Sequence, residues 1–309
     1  MKRNQLELAQ PPANRQGLSL VEVLIVIGVM GLLLSLLIPA VQAARAAMDR
    51  LRCRTNLKQI GLALQQFHSE HGRLPPVRGM FQPLQPQYSI RWEVVVLPYL
   101  GQAGLYDNAK AAYRSNFNSM TNPPHTGIDQ IIGVYRCPAD ERLNRPQQDA
   151  DGVWAGYTSY LGVGAARRHR GMLPFLNATQ LGITFHQVVD GLSNTIMVGE
   201  RPPPDSFQAG KWYPNHTHFS PTYGLAAGPD SAIWLTDLAF MGDPSSGNTR
   251  FRFGSTRNQA HRWHFWSLHF GGAHFLFGDG STRFIRYTND YFLESLGSID
   301  GQEINTTLD

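Results

Sequence analysis

The chain has 309 residues, enough for one large domain or two small ones with a full core. Charged residues make up 16% and hydrophobic ones 42%, an ordinary globular balance. The net charge of +4 comes without a basic tail, a zinc-finger spacing or an aromatic–basic repeat, so nucleic acid is not an expected partner.

In chain order, residues 1–17 form a polar leader with Lys2, Arg3, Pro11, Pro12 and Arg15, ending in Gly17. Residues 18–38, LSLVEVLIVIGVMGLLLSLLI, carry a single charge, Glu22. At ~1.5 Å per residue they make a helix of ~30 Å, the thickness of a bilayer's hydrocarbon core. A secretory signal has a shorter apolar core of ~7–15 residues and normally no acid inside it. A carboxylate in the membrane costs ~2.5–3.5 kcal/mol on insertion scales, so Glu22 needs a compensating partner.

The run Gly17-Leu18-Ser19-Leu20-Val21-Glu22 resembles the prepilin peptidase site of type IV pilins and type II secretion pseudopilins. The resemblance implies cleavage between Gly17 and Leu18, methylation of the new amino terminus on Leu18, and a role for Glu22 in assembly. There the acid would meet the terminal amine of a neighbouring subunit. Leu18 and Ser19 stand where the family usually has Phe and Thr. Two signals oppose this reading. The flank after the span, with Arg45, Arg50, Arg52, Arg54 and Lys58, is more basic than the leader, and charge alone would keep the following domain in the cytoplasm. Val41-Gln42-Ala43 also fits an ordinary signal-peptidase site. The long span, Glu22 and the leader outweigh both.

Beyond the span the helix is expected to continue to residue 71, kinked at Pro39, with Val41, Ala44, Met48 and Leu51 as one apolar stripe and Leu57, Ile60, Leu64 and Phe67 as a second. Gly31 and Ser35 form a small-xxx-small pair that either admits a neighbouring helix or faces lipid. His71-Gly72 and Pro75-Pro76 end the helix. Short helices are expected over residues 90–97 and 104–113, and strands over 157–163, 194–200 and 232–236. Residues 202–223, with His216 and His218, read as a surface loop. Strand-like runs at 273–278 and 281–287 flank Asp279-Gly280, a hairpin turn signal, and residues 290–296 suggest a terminal helix. The fold class is α+β: a long N-terminal helix, then a mainly antiparallel β domain, pilin-like in plan.

Nine residues separate His269 from Asp279-Gly280, and this segment resembles the C-terminal H-x9-D-G motif of a large prepilin-like bacterial family whose globular domain has unknown function. Other stretches agree in order, among them Leu97-Pro98-Tyr99-Leu100, Cys137-Pro138-Ala139-Asp140 and Asp190-Gly191-Leu192-Ser193-Asn194-Thr195. Cys53 and Cys137 lack a C-x-x-C pair, so they read either as two buried thiols or, outside the cytoplasm, as one disulfide. Both lie in family-like motifs, and the resemblance favours the bridge. His269 and Asp279-Gly280 have two readings, a functional pair or a loop and turn that shape the hairpin, and turn chemistry favours the second.

His261, His264, His269 and His274 have no metal-site spacing, and Asp279, Asp290 and Asp300 form no EF-hand loop, so neither metal nor cofactor is expected. No G-x-S-x-G, P-loop or dinucleotide fingerprint is present, and no enzyme is expected. The reading is a non-enzymatic pilin- or pseudopilin-like subunit of the bacterial cytoplasmic membrane. Residues 1–17 are the leader, 18–71 the helix (18–38 transmembrane) and 72–309 an extracytoplasmic domain. Its expected partners are prepilin peptidase, membrane lipid, and copies of itself or related subunits. The alternative is a cell-envelope protein that binds a solute or polymer and uses the helix only as an anchor.

Overall fold

Helix α1 (Leu20–His71) runs for 52 residues and passes through Pro39 without ending. The computed structural model describes residues 19–75, 78–80, 89–116, 118–149, 151–166, 169–174, 182–213, 232–235, 251–289, 293 and 295–301. The chain divides into two units, Met1–Ala47 and Met48–Asp309. In the first, every described residue is exposed, including Leu20, Val23, Ile27, Leu33 and Leu37. Apolar surface on this scale demands lipid or another helix, since water does not tolerate it uncovered.

In the second unit, α1 is buried from Cys53 onward through Leu57, Ile60, Gly61, Ala63, Leu64 and Phe67. The second expected stripe is thus the core face of the helix. The first is not: Val41, Ala44, Met48 and Leu51 are all exposed, because the apolar side chains of α1 are buried only from Cys53 onward.

The rest of this unit opens with β1 (Arg78–Met80) paired antiparallel to β2 (Ser89–Arg91). A single turn, α2 (Trp92–Val95), leads to a 3-10 turn at Leu97–Leu100 and then α3 (Ala103–Ser115). The expected helix over 90–97 is corrected: Ile90 pairs with Gly79 in a ladder, so tertiary pairing overrides local pattern, and helix remains only after Arg91. The 3-10 turn ends on Gly101 at φ 74°, a left-handed cap suited to glycine.

A small hairpin, β3 (Gln147–Gln148) with β4 (Trp154–Ala155), precedes the main sheet. That sheet comprises β5 (Tyr160–Ala166), β6 (His169–Arg170), β7 (Ile196–Glu200), β8 (Ala232–Leu235), β9 (Gly272–Phe277) and β10 (Thr282–Arg286). Its order is β10-β9-β7-β5-β6, all antiparallel, with β8 parallel beside β5. The fold is α+β, a long apolar helix followed by a globular unit of mainly antiparallel sheets. Tyr157, expected at a strand start, makes instead an isolated bridge to Lys211. The expected loop is described only to residue 213, so His216 and His218 lie outside the described residues, as does most of the expected helix at 290–296.

Alternation along the strands sends side chains to two cores. Ala273, Phe275 and Phe277 of β9 join Leu161 and Val163 of β5 in one. Leu276, Val198 and Tyr160 face the other, where they meet Leu57, Ile60 and Leu64 of α1. Helix and sheet approach closely at Gly61, where a Cβ would stand 2.7 Å from Leu276 Cδ1. Glycine is required there by contact, not by backbone angle.

A buried carboxylate, two histidines and a disulfide

The alternation that turns Leu276 toward α1 does the same for His274, two residues earlier on β9. On β7, Gly199 pairs with Phe275, which sets Glu200 beside His274. Glu200 Oε2 accepts hydrogen bonds from His274 N at 2.7 Å and from its ring Nδ1 at 3.2 Å. His269, in the turn just before β9, brings Nε2 to 3.5 Å from Glu200 Oε1. The same Nε2 lies 3.4 Å from Cys137 Sγ. Cys137 is joined to Cys53 of α1 by a disulfide that links residues 84 apart, with Cα atoms 5.3 Å apart. Cys53, Cys137, Glu200, His269 and His274 are each at most 5% exposed.

Neighbouring groups hold these side chains in place. Cys137 N donates to Ser159 Oγ at 3.0 Å, and His269 N donates to Ser267 Oγ at 3.0 Å. Asn56 of α1 donates to Arg136 O at 2.9 Å and to the Tyr160 hydroxyl at 3.3 Å, tying the helix to both sides of the bridge. Asp140, at the end of the Cys137-Pro138-Ala139-Asp140 run, accepts two bonds from Arg142 at 2.7 and 2.6 Å. Burial alone would raise the Glu200 carboxyl, but hydrogen bonds and charge from His269 and His274 outweigh it and hold the group at about 2. Such a cluster can anchor a carboxylate in a low-dielectric core, hold a proton beside it, or present ligands to a cation.

Of the motif His269-x9-Asp279-Gly280, only the histidine belongs to this cluster. Asp279 and Gly280 lie past the far end of β9, whose five residue steps alone span ~17 Å. Asp279 Oδ1 accepts from Ser281 N at 2.8 Å, and Gly280 takes φ 82°, so the pair closes the hairpin. Asp279 N donates to Leu192 O at 3.1 Å and Gly278 N to Thr195 O at 2.9 Å. The turn is therefore docked on the Asp190–Thr195 turn, where Gly191 has φ 91°. The two glycine-containing motifs support each other.

The four histidines separate into two pairs. His261 Nδ1 and His264 Nε2 are 2.6 Å apart, and burial lowers His264 to about 4, as for a packed neutral ring. His269 and His274 flank Glu200. Glu200 belongs to none of the motifs legible in the sequence. Its signal was its place: it closes the apolar strand Ile196-Met197-Val198-Gly199, where a buried carboxylate must find a partner.

Of the processing residues, Gly17 and Leu18 lie outside the described residues. Glu22 Oε2 accepts the Ser19 backbone N–H at 2.8 Å. This is the reciprocal half of a capping box, an acid in the first turn reaching back to the residue before the helix.

The family described as "Protein of unknown function (DUF1559)" matches residues 42–291. The chain belongs to this family. A second pattern, described as the prokaryotic N-terminal methylation motif, matches residues 12–38. No curated protein and no solved structure matches the chain. The methylation motif marks a pilin-like chain processed by prepilin peptidase, and with the apolar helix it fits a membrane-anchored protein. The family match spans both cysteines, Glu200, His269 and the Asp279-Gly280 turn.

Proposed function

We propose that the mature chain begins at Leu18 and acts as a non-enzymatic, pilin- or pseudopilin-like subunit, joining a filament or secretion-related assembly through its apolar helix. In this reading residues 1–17 are the leader, residues 18–38 cross the bacterial cytoplasmic membrane, and the globular unit is extracytoplasmic. The hydrogen bond from Ser19 N to Glu22 carries the reading. It turns the carboxylate back toward the helix start, one residue from the amine that cleavage would create. A cation there offsets the cost of a carboxylate in lipid. The Cys53–Cys137 disulfide supports an oxidising compartment for the globular unit.

Mass spectrometry of the native N-terminus tests the processing step. A chain starting at methylated Leu18 is the expected result, and retention of Met1 or a start at Ala44 overturns it. Glu22→Ala should still insert in the membrane but lose cross-linking between copies through the helix. Equal cross-linking in the variant overturns the assembly role.

A second reading, solute binding, is favoured by one groove of about 320 Å³ lined by Phe67, Glu70, His71, Tyr99, Tyr106 and Asp107. Three aromatic walls and the Glu70 carboxylate, which accepts the Tyr99 hydroxyl at 2.6 Å, suit a small organic cation, whereas Asp107 is paired with Lys110 at 3.0 Å. Titration of the full chain in detergent with a quaternary ammonium probe tests it. Saturable binding lost in Glu70→Gln supports the groove, and no binding removes this reading.

A further inference from the structure

Cys53, Cys137, Glu200 and His269 place four metal-ligating atoms within 4.8 Å of one another in the interior of the globular unit. We propose that these residues form a redox-gated site for a divalent metal of the zinc class, closed while the disulfide stands and opened when a dithiol reduces it.

The distances carry the argument. A tetrahedral zinc site with Zn–S of ~2.3 Å and Zn–N or Zn–O of ~2.0–2.1 Å sets neighbouring ligand atoms roughly 3.3–3.8 Å apart. Cys137 Sγ to His269 Nε2 is 3.4 Å, and His269 Nε2 to Glu200 Oε1 is 3.5 Å. These two edges already have the length of a tetrahedral shell. The sulfur–sulfur edge must open to roughly 3.8 Å, and the other edges, none longer than 4.8 Å, must close by at most about 1 Å. With Cα atoms 5.3 Å apart, side-chain rotation suffices.

The supporting hydrogen bonds leave the right atoms free. Glu200 Oε2 is occupied by His274 N and Nδ1, whereas the buried Oε1 has, among the described residues, only His269 Nε2 beside it at 3.5 Å. A ligand carboxylate held by its other oxygen is the arrangement that fixes a metal site.

The redox step balances. A dithiol gives two electrons and two protons to the disulfide, yielding Cys53 and Cys137 thiols and its own disulfide. The metal then displaces both thiol protons, and the proton that His269 holds on Nε2 when charged, to solvent, and binds two thiolates, the Glu200 carboxylate and the imidazole of His269. The same four residues thus cross-link α1 to the sheet in either state, by a sulfur–sulfur bond or by an ion.

The test uses the full chain in detergent, reduced with a phosphine and titrated with Co²⁺, whose thiolate complexes absorb. The reduced chain should bind one equivalent, with thiolate-to-cobalt charge transfer and tetrahedral d–d bands, and the oxidised chain should show neither. Zn²⁺ should bleach the bands and raise the thermal midpoint of the reduced chain. Reduced His269→Ala and Glu200→Gln should each weaken binding by about tenfold or more. The proposal is overturned if the reduced wild type shows no such bands, or if Zn²⁺ leaves its midpoint unmoved. Unchanged affinity in both variants also overturns it, since that is the mark of adventitious thiol binding. The wild-type chain decides even if a variant fails to fold.

Discussion

Glu200 shows how one side chain acquires a role from its surroundings. In water its carboxyl would titrate near 4.5, and between His269 and His274 it is held at about 2. A group whose folded value is depressed contributes stability that is complete above the unfolded value and is lost as pH falls through the folded one. The globular unit should therefore lose stability between about pH 4.5 and pH 2, by on the order of 3 kcal/mol from this group. Glu200→Gln should remove that part of the acid dependence and lower stability at neutral pH by about 2–3 kcal/mol. Denaturant titrations at several pH values check both; parallel pH profiles for wild type and variant would contradict the assignment.

At the scale of elements, α1 is fastened to the sheet by shape and by a covalent bond. Gly61→Ala should lower stability by about 1–3 kcal/mol through the clash with fully buried Leu276, even though alanine favours helix by ~1 kcal/mol. A double-mutant cycle with Leu276→Ala measures this, and the second change should relieve the clash. Reducing the Cys53–Cys137 bond without added metal should cost ~4–5 kcal/mol on the chain-entropy account, given the long loop it closes. The fall in urea midpoint reports that loss. Gly280→Ala should cost about 1–2 kcal/mol, because a side chain is strained at its φ of 82°, while Gln65 Nε2, 2.8 Å from where a Cβ would stand, can move aside.

For the whole molecule, the contrast between its two units governs behaviour in solution. Described residues through Met48 bury nothing, and the cores of the globular unit take their first helix residue at Cys53. A chain starting at Met48 should therefore stay folded, with the same urea midpoint within error, while leaving the membrane fraction for the soluble one. Size-exclusion chromatography and midpoint comparison test this. Aggregation or a lowered midpoint would show that the apolar helix supports the core.

The anchor was legible because membrane insertion reads composition locally: twenty-one residues with one acid, after a polar leader ending in glycine, need no partner to be recognised. The hairpin at Asp279-Gly280 was legible for a similar reason, since turn chemistry resides in two adjacent residues. Residues 90–97 misled because ladder pairing with a distant strand outbid their local preference, and Val41 to Leu51 misled because periodicity marks a face without saying whether anything covers it. The union of Glu200 with His269, His274 and the Cys53–Cys137 bond was beyond local reading. Those residues come from a helix, two loops and two strands, and only the register of β7 against β9 and the seat of α1 at Gly61 bring them within hydrogen-bonding reach.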